Sequence, residues 1–400
     1  MSTSMQYQVL QEEQKGFYAL ILPVVFAVFS IFLTMGIGFG VLPQFVHAQL
    51  GYGAIIVGLV IGVQDITALC TRSMAGSNTD TKGAKSSVIK GVVWAVASGL
   101  VYMLAGLFAG MPLLSLVLLV IARIMHGLSE SYLITGALTW GIGLAGVQRS
   151  GKVMAWVGIS LFAGIGLGAP LGDVMNTHWG IPAAFALITL LPVIGSLPML
   201  KLPSVTTSAK KREVPFFKVI AAIWTQGASL ALSAIGYGCI SSFIALFFVS
   251  QHWGEASLAF TAFAATFILT RLFFASFPDK YGGYMVGAVS LVIEFAGQLL
   301  LWLAVSKTMA LAGCALTGMG FSLMFPAMGV EAVKKVKPEM RGSAMGAYTA
   351  FTDLALGITG PVAGLIASCF SYQAIYLFGT LCCVLSLLLI MKPAGKNVKS

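Results

Sequence analysis

The sequence predicts an all-α membrane protein, with twelve transmembrane helices in two pseudo-symmetric six-helix bundles. Composition, the placement of basic residues and an internal repeat carry that prediction. Of 400 residues, 58% are hydrophobic and 9% are charged, whereas soluble domains carry about 25% charged residues. Mean hydropathy is +0.94. So few charges cannot cover a water-facing surface. A spanning helix needs about 20 apolar residues, and with a short connection each span uses about 33, so the chain holds about twelve. The apolar stretches are long and lack polar alternation, which excludes a membrane β-barrel.

The polar start, Met1 to Gly16, carries Glu12, Glu13 and Lys15 and shows no signal-peptide pattern, so it is expected to be retained. Spans are expected at 17–46, 52–75, 86–110, 113–140, 151–174 and 181–201, then at 218–250, 255–277, 283–305, 308–332, 341–369 and 372–391. Pro203 to Lys218 holds two prolines and Lys210-Lys211-Arg212, and reads as a cytoplasmic link at the midpoint. The expected units are 1–202 and 218–400, joined by 203–217. With the N-terminus inside, 21 of the 23 Lys and Arg residues fall on the inner side, Lys307 falls outside and Arg123 lies within a span. That bias follows the positive-inside rule and supports the twelve-span map, because a missed span would invert half the loops. It places a multi-pass protein in a bacterial inner membrane with both termini cytoplasmic. The +10 charge then belongs to loops facing anionic lipid, not to nucleic-acid binding. The cysteines, Cys70, Cys239, Cys314, Cys369, Cys382 and Cys383, lie in apolar stretches and form no disulfide or metal pattern.

The halves repeat. Arg72, Gly76, Asp80 and Gly83, with Lys85 close behind, recur as Arg271, Ala275, Asp279 and Gly282, 199 residues on. Gly127, Arg149 and Pro170 recur as Gly318, Arg341 and Pro361 after about 191 residues. A parallel repeat of six-span halves is the trace of a rocking transporter with its site between the halves. The repeated loops read as gates: glycines allow a tight turn and close helix approach, and the aspartates can cap a helix or pair with a cation.

These motifs carry a resemblance. Gly76-xxx-Asp80-xx-Gly83-x-Lys85 resembles the cytoplasmic loop signature of the major facilitator superfamily. Arg123-xx-His126-Gly127 resembles its span-four Arg-xx-Gln-Gly motif, with His replacing Gln. Gly168-Ala169-Pro170 resembles the span-five Gly-Pro motif of antiporters, with Ala inserted. Gly136 to Gly141 and Asp353 to Pro361 resemble the bacterial arabinose-efflux-permease-like, drug–proton antiporter branch. The resemblance implies proton-coupled efflux of small amphipathic organic compounds by alternating access. The alternative is a proton symporter or uniporter importing a sugar, organic acid or other metabolite. No HExxH, nucleotide loop or Walker motif argues for an enzyme or an ATP pump. The expected partners are a small-molecule substrate, protons and the bilayer. No cofactor or metal is expected, and the protein is expected to act as a monomer.

Span four holds Arg123, His126 and Glu130 on one helical face. Charges at that depth cost several kcal/mol by insertion scales unless paired or hydrated, and mark a pathway. A carboxyl or an imidazole can carry a proton, whereas Arg stays charged and would bind an anion or tune an acid. The alternative is a structural polar cluster. Asp65, mid-span beside Gln64, is either a proton site or the ion-pair partner of Arg123. Asp353 is a further proton candidate, and Glu294, on a span the resemblance makes peripheral, reads as a satisfied structural acid. Asp173 and Glu331 read as solvated at span ends. Ser160, Gly164, Gly168 and Gly172 form a small-residue stripe, for packing, hinging or both. The resemblance makes spans one, four, seven and ten line the cavity. It thereby offers Thr34, Gln44, Tyr132, Gln226, Tyr237, Ser241, Phe247, Thr317, Ser322 and Phe325 as substrate contacts.

Overall fold

A computed structural model describes the backbone of residues 3–205, 216–336 and 341–391, and side chains of 16–146, 148–205, 219–336 and 344–391. Lys210, Lys211, Arg212, Lys337, Lys392, Lys396 and Lys399 lie outside the described residues, as does most of the expected link 203–217.

Among the described residues there are twelve helices long and apolar enough to cross a bilayer, and no strand. They are α1 (Thr3–Gln44), α2 (Ala54–Lys82), α3 (Ala84–Leu107), α4 (Pro112–Ala145), α5 (Ser150–Trp179) and α6 (Ile181–Ser196). Then come α7 (Phe216–Ser250), α8 (Ser257–Phe274), α9 (Gly283–Trp302), α10 (Lys307–Lys334), α11 (Arg341–Cys369) and α12 (Tyr372–Met391). The spans match the expected ones to within a few residues, with two differences. The polar start is already helical from Thr3, so α1 extends beyond the apolar run. The motif expected to be a loop is mostly helix. α2 runs to Lys82, carrying Arg72, Gly76 and Asp80, and α3 starts at Ala84.

Gly83 is the whole corner between them, with φ +87°, a backbone conformation that a side chain makes costly. Its repeat mate Gly282 has the same φ, +87°, at the start of α9. Twelve crossings place the start of α1 and the end of α12 on one face, here termed the terminal face, opposite the far face.

The outer surface is apolar. Leu22, Phe26, Leu113, Phe273 and Phe370 are all exposed, as fits a chain solvated by lipid tails. In lipid no hydrophobic force drives helices together, so close packing of small residues does much of the work. The stripe in α5 illustrates this. Gly164 faces Phe29 and Leu33, Gly168 faces Leu33 and Gly36, and Gly172 faces Ile37, all along α1. α1 to α6 pack among themselves and α7 to α12 do likewise. The halves meet along two main seams, α2 with α11 and α5 with α8, which the repeat exchanges.

Contacts along both seams run from the far face past mid-membrane. At the far-face end of the first, a Cβ on Gly364 would lie 2.6 Å from Ala54 O, and Gly58 lies directly against Gly360. Toward the terminal face the same seam holds Arg72 and Asp353. On the second seam Ser257 Oγ donates to Asp173 Oδ2 at 3.0 Å and Thr261 Oγ1 to Gly166 O at 2.8 Å. Closer to the terminal face, Gly158 lies against the Arg271 guanidinium.

Candidate functional site

Five charged side chains, Asp65, Arg72, Arg123, Glu130 and Asp353, gather on α2, α4 and α11. Arg123 is 0% exposed, and its guanidinium donates to Val60 O (3.0 Å) and Ile61 O (2.6 Å). It thus grips the α2 backbone and bonds no carboxylate, which corrects the expected Arg123–Asp65 ion pair. Asp65 is 7% exposed, with no ion pair to another described residue. Glu130 Oε2 accepts from Gln64 Nε2 at 3.0 Å. Arg72 makes a bidentate pair with Asp353, Nε to Oδ2 at 2.7 Å and Nη2 to Oδ1 at 2.9 Å. Asp65, Glu130, Asp353, Arg72 and Arg123 lie within electrostatic range of one another. His126 Nε2 is 3.5 Å from Thr34 Oγ1 on α1, and its Nδ1 has no hydrogen-bond partner. The five residues expected for proton coupling therefore form one group, with Asp353 already held across the seam.

Facing this group is an aromatic cluster. Tyr237 stacks on Phe321 with ring centroids 5.9 Å apart and planes 8° from parallel. Phe263 is 5.2 Å from Tyr237, and Phe162 of α5 is 5.7 Å from it. Tyr237 lies within electrostatic range of Asp65, Glu130 and Arg123, and its buried hydroxyl has no hydrogen-bond partner.

The repeat explains the two unlike walls. Gly127 packs against Gln64 and Thr67, and Gly318 packs against Phe263 and Thr266. Both contacts obey the same offsets, 191 in α4/α10 and 199 in α2/α8, so the register read from sequence holds in space. It pairs Gln64 with Phe263, Glu130 with Phe321, Arg123 with Cys314, and Arg72 with Arg271. Extending the Pro170–Pro361 register pairs Asp353 with Phe162. Phe162, Phe263 and Phe321 are residues that sequence reasoning missed, although applying the repeat to each polar site residue would have found them.

Of the expected cavity residues, Thr34 and Tyr237 belong to this site. The others lie elsewhere. Gln226 Nε2 donates to Tyr284 Oη at 2.6 Å, and Thr317 Oγ1 accepts from Gln298. Ser322 Oγ bonds Phe267 O, Phe325 packs on Tyr348, and Phe247 packs on Trp253 and Tyr376. Tyr132 lies under Lys90, and Ser241 bonds its own helix at Gly238 O. Gln44 lines a far-face cavity of about 50 Å³ with Asp173, Glu255 and Ser257. Spans one, four, seven and ten are also packing helices, so most of their polar groups serve neighbours within a half.

The gate residues divide in the same way. Lys85 Nζ donates to Leu200 O (2.8 Å) and Leu202 O (2.6 Å), tying α3 to the segment after α6. Trp140 Nε1 holds the same segment at Pro203 O. Asp80 and Asp279 are exposed, with no hydrogen bond or ion pair to another described residue. A Cβ on Gly76 would meet nothing within 4 Å, so close approach is not its role. Arg271 donates to Ser322 O at 2.5 Å and lies 4.8 Å from the Phe267 ring. Two acids are also corrected. Glu331, expected to be solvated, is buried and caps α9 by accepting from Gly283 N at 3.0 Å. Asp173 bonds across the α5–α8 seam. Glu294 is fully buried and accepts from Ser233 Oγ at 2.5 Å, but its Oε1 lacks a partner.

The sequence profile of the Major Facilitator Superfamily matches residues 24–254 and 227–399. The chain belongs to the major facilitator superfamily. An uncharacterized MFS-type transporter of Salmonella typhimurium is 40% identical over 90% of this chain and 92% of its own length. One from Burkholderia pseudomallei is 41% identical, over 89% and 88%. A solved D-xylose-proton symporter shares the fold at TM-score 0.76, with 15% identity over 94% of this chain and 98% of its own. This superfamily member is therefore a multi-pass membrane transporter rather than an enzyme, acting on a small molecule within the bilayer.

Proposed function

We propose that this transporter exports small amphipathic organic compounds against proton entry, by alternating access between two six-helix units. The observation that carries the reading is the pair Asp65 and Glu130. Both sit at span depth, neither is bonded to a basic side chain, and both lie beside a cross-seam Arg–Asp pair. A buried charge without a partner is costly, so such an acid binds a proton when drawn away from Arg72 and Arg123 and releases it when near them. His126 relays that proton or holds the geometry. Rocking of the units breaks and remakes the Arg72–Asp353 pair, which couples the protonation state to which face is open.

The units are 1–202 and 218–400, joined by a cytoplasmic 203–217. The terminal face is the cytoplasmic face of the inner membrane, as the basic bias favours, and the protein acts as a monomer. Lys85 transmits motion of the first unit to the joining segment. Asp80 and Asp279 serve at the exposed corners of the gates.

The test uses proteoliposomes with a ligand identified by a thermal-stabilisation screen. Asp65→Asn or Glu130→Gln should abolish accumulation driven by a pH gradient while sparing downhill exchange. If both single variants and the double variant still concentrate the ligand, coupling lies elsewhere. The alternative reading, import, predicts proton and solute fluxes in the same direction for a symporter and no coupled proton flux for a uniporter.

A further inference from the structure

We propose that a groove between α1 and α5 binds one anionic phospholipid from the leaflet at the terminal face, with an acyl chain in the groove and the headgroup phosphate on Lys152 and Lys201. This site lies apart from the buried charges and goes beyond the transport reading.

The groove is shaped for an apolar chain. Its volume is about 430 Å³, and it is lined by Leu22, Phe26 and Phe29 of α1, Trp156 and Ile159 of α5, and Pro198 after α6. Small ligands are held in cavities of about 300–1,000 Å³. The groove opens on the outer surface, where Leu22 and Phe26 are exposed. Toward the far face it ends where Gly164 brings α5 against Phe29 and Leu33 of α1. The hydroxyl in its wall, Ser160 Oγ, is spent on Val157 O at 2.8 Å. At span depth the surrounding solvent is hydrocarbon, so a lipid tail fills such a wall.

Charge selects the lipid. Odd-numbered helices start at the terminal face and even-numbered ones end there, so the start of α5 and the segment after α6 lie together at that face. Lys152 is one helical turn from Trp156 toward the terminal face, and Lys201 is three residues beyond Pro198. Both are exposed, and neither has a hydrogen bond or ion pair with another described residue. Exposed lysines at a membrane surface attract anionic headgroups, whereas a zwitterionic lipid brings its own cation to them. Between the lysines and the apolar walls, Trp156 meets Tyr18 edge to face, with ring centroids 5.9 Å apart. Tryptophan and tyrosine favour that headgroup level. From the terminal face inward the site thus runs cation, amphipathic ring, apolar wall, which is the order of a phospholipid in that leaflet.

The third wall connects the groove to the link between the halves. Pro198 belongs to the segment Leu197–Lys201, and Lys85 holds the carbonyls of Leu200 and Leu202. A lipid in the groove therefore braces α1, α5 and that segment as one unit.

Phospholipids brominated on the acyl chain quench a tryptophan that they touch. The full chain would be reconstituted in unlabelled phosphatidylcholine, with brominated phosphatidylglycerol or brominated phosphatidylcholine added in steps. The quenching that disappears in Trp156→Phe belongs to Trp156. Phosphatidylglycerol is expected to displace the host lipid there with an affinity about tenfold above that of phosphatidylcholine, and the advantage should shrink in high salt. Lys152→Gln combined with Lys201→Gln should bring the two lipids to parity while both still quench Trp156. Trp224, exposed on α7 outside the groove, serves as the control through Trp224→Phe and should show little preference. Native mass spectrometry from detergent should find one phosphatidylglycerol retained per chain and lost in the double lysine variant. Thermal unfolding of each variant confirms that it is folded. Equal affinities at Trp156, or a preference that survives the double lysine variant, would overturn the proposal. An equal preference at Trp224 would also overturn it, by assigning the effect to the general basic charge of the terminal face.

Discussion

Phe162 stands in α5 where Asp353 stands in α11; Asp353 pairs with Arg72, whereas Phe162 lies against Phe267, the ring that holds the equivalent Arg271. Arg72 meets a carboxylate and forms a two-bond ion pair across its seam. Arg271 meets no acid on its seam and instead lies over Phe267, whose ring is 3.8 Å from Phe162. One seam is closed by charge and the other by aromatic packing. Protonation of Asp353 would break the first contact and has no counterpart at Phe162, so the halves are unlike in chemistry at this level although alike in fold.

Breaking the ion pair should therefore shift the conformational balance. Asp353→Asn and Arg72→Gln are each expected to favour the state open at the terminal face. The change is about 1–3 kcal/mol, or roughly 5- to 150-fold in populations. Spin-label distances between α2 and α11 would measure it. The swapped pair Arg72→Asp with Asp353→Arg should recover much of the shift.

The two glycine types on α2 should behave in opposite ways. A side chain on Gly58 would run into the Gly360 carbonyl, so Gly58→Ala must push α2 away from α11. A loss of about 1–3 kcal/mol is expected from such overpacking. Gly76→Ala meets open space in mid-helix and should gain up to about 1 kcal/mol from helix propensity. Melting temperatures in one detergent would compare them.

Lys85 should matter for transport more than for folding. Lys85→Ala removes both bonds to the segment after α6 and is expected to slow transport at least several-fold with normal membrane insertion. Proteolysis within 203–217 should become faster. Unchanged flux and cleavage would reduce Lys85 to a topology signal.

The orientation can be checked directly. Reporter fusions at either terminus, or a cysteine near residue 208, should report from the cytoplasm. Labelling of residue 208 solely from outside would overturn the topology.

The sequence by itself determined the span number, the helix class, the repeat and the family. Composition is set by lipid as solvent, and a backbone in lipid must satisfy its own hydrogen bonds, so apolar stretches of this length become helices whatever surrounds them. Sequence also placed Arg123, His126, Glu130 and Asp65 together, because helical period and depth are local properties. Tertiary structure decided which of these charges are spent. Arg123 could have paired with Asp65 but grips the Val60 and Ile61 carbonyls, and Arg72 bonds a residue 281 positions away. It also sent Gln226, Thr317 and Ser322 to packing contacts, and brought Phe162, Phe263 and Phe321 into the site beside Tyr237. Those outcomes depend on how helices rotate and how closely they approach, which is fixed by small residues on both sides of a seam. The opposing helix is absent from any local stretch of sequence, so the choice between a packing contact and a site contact is made only when the halves meet.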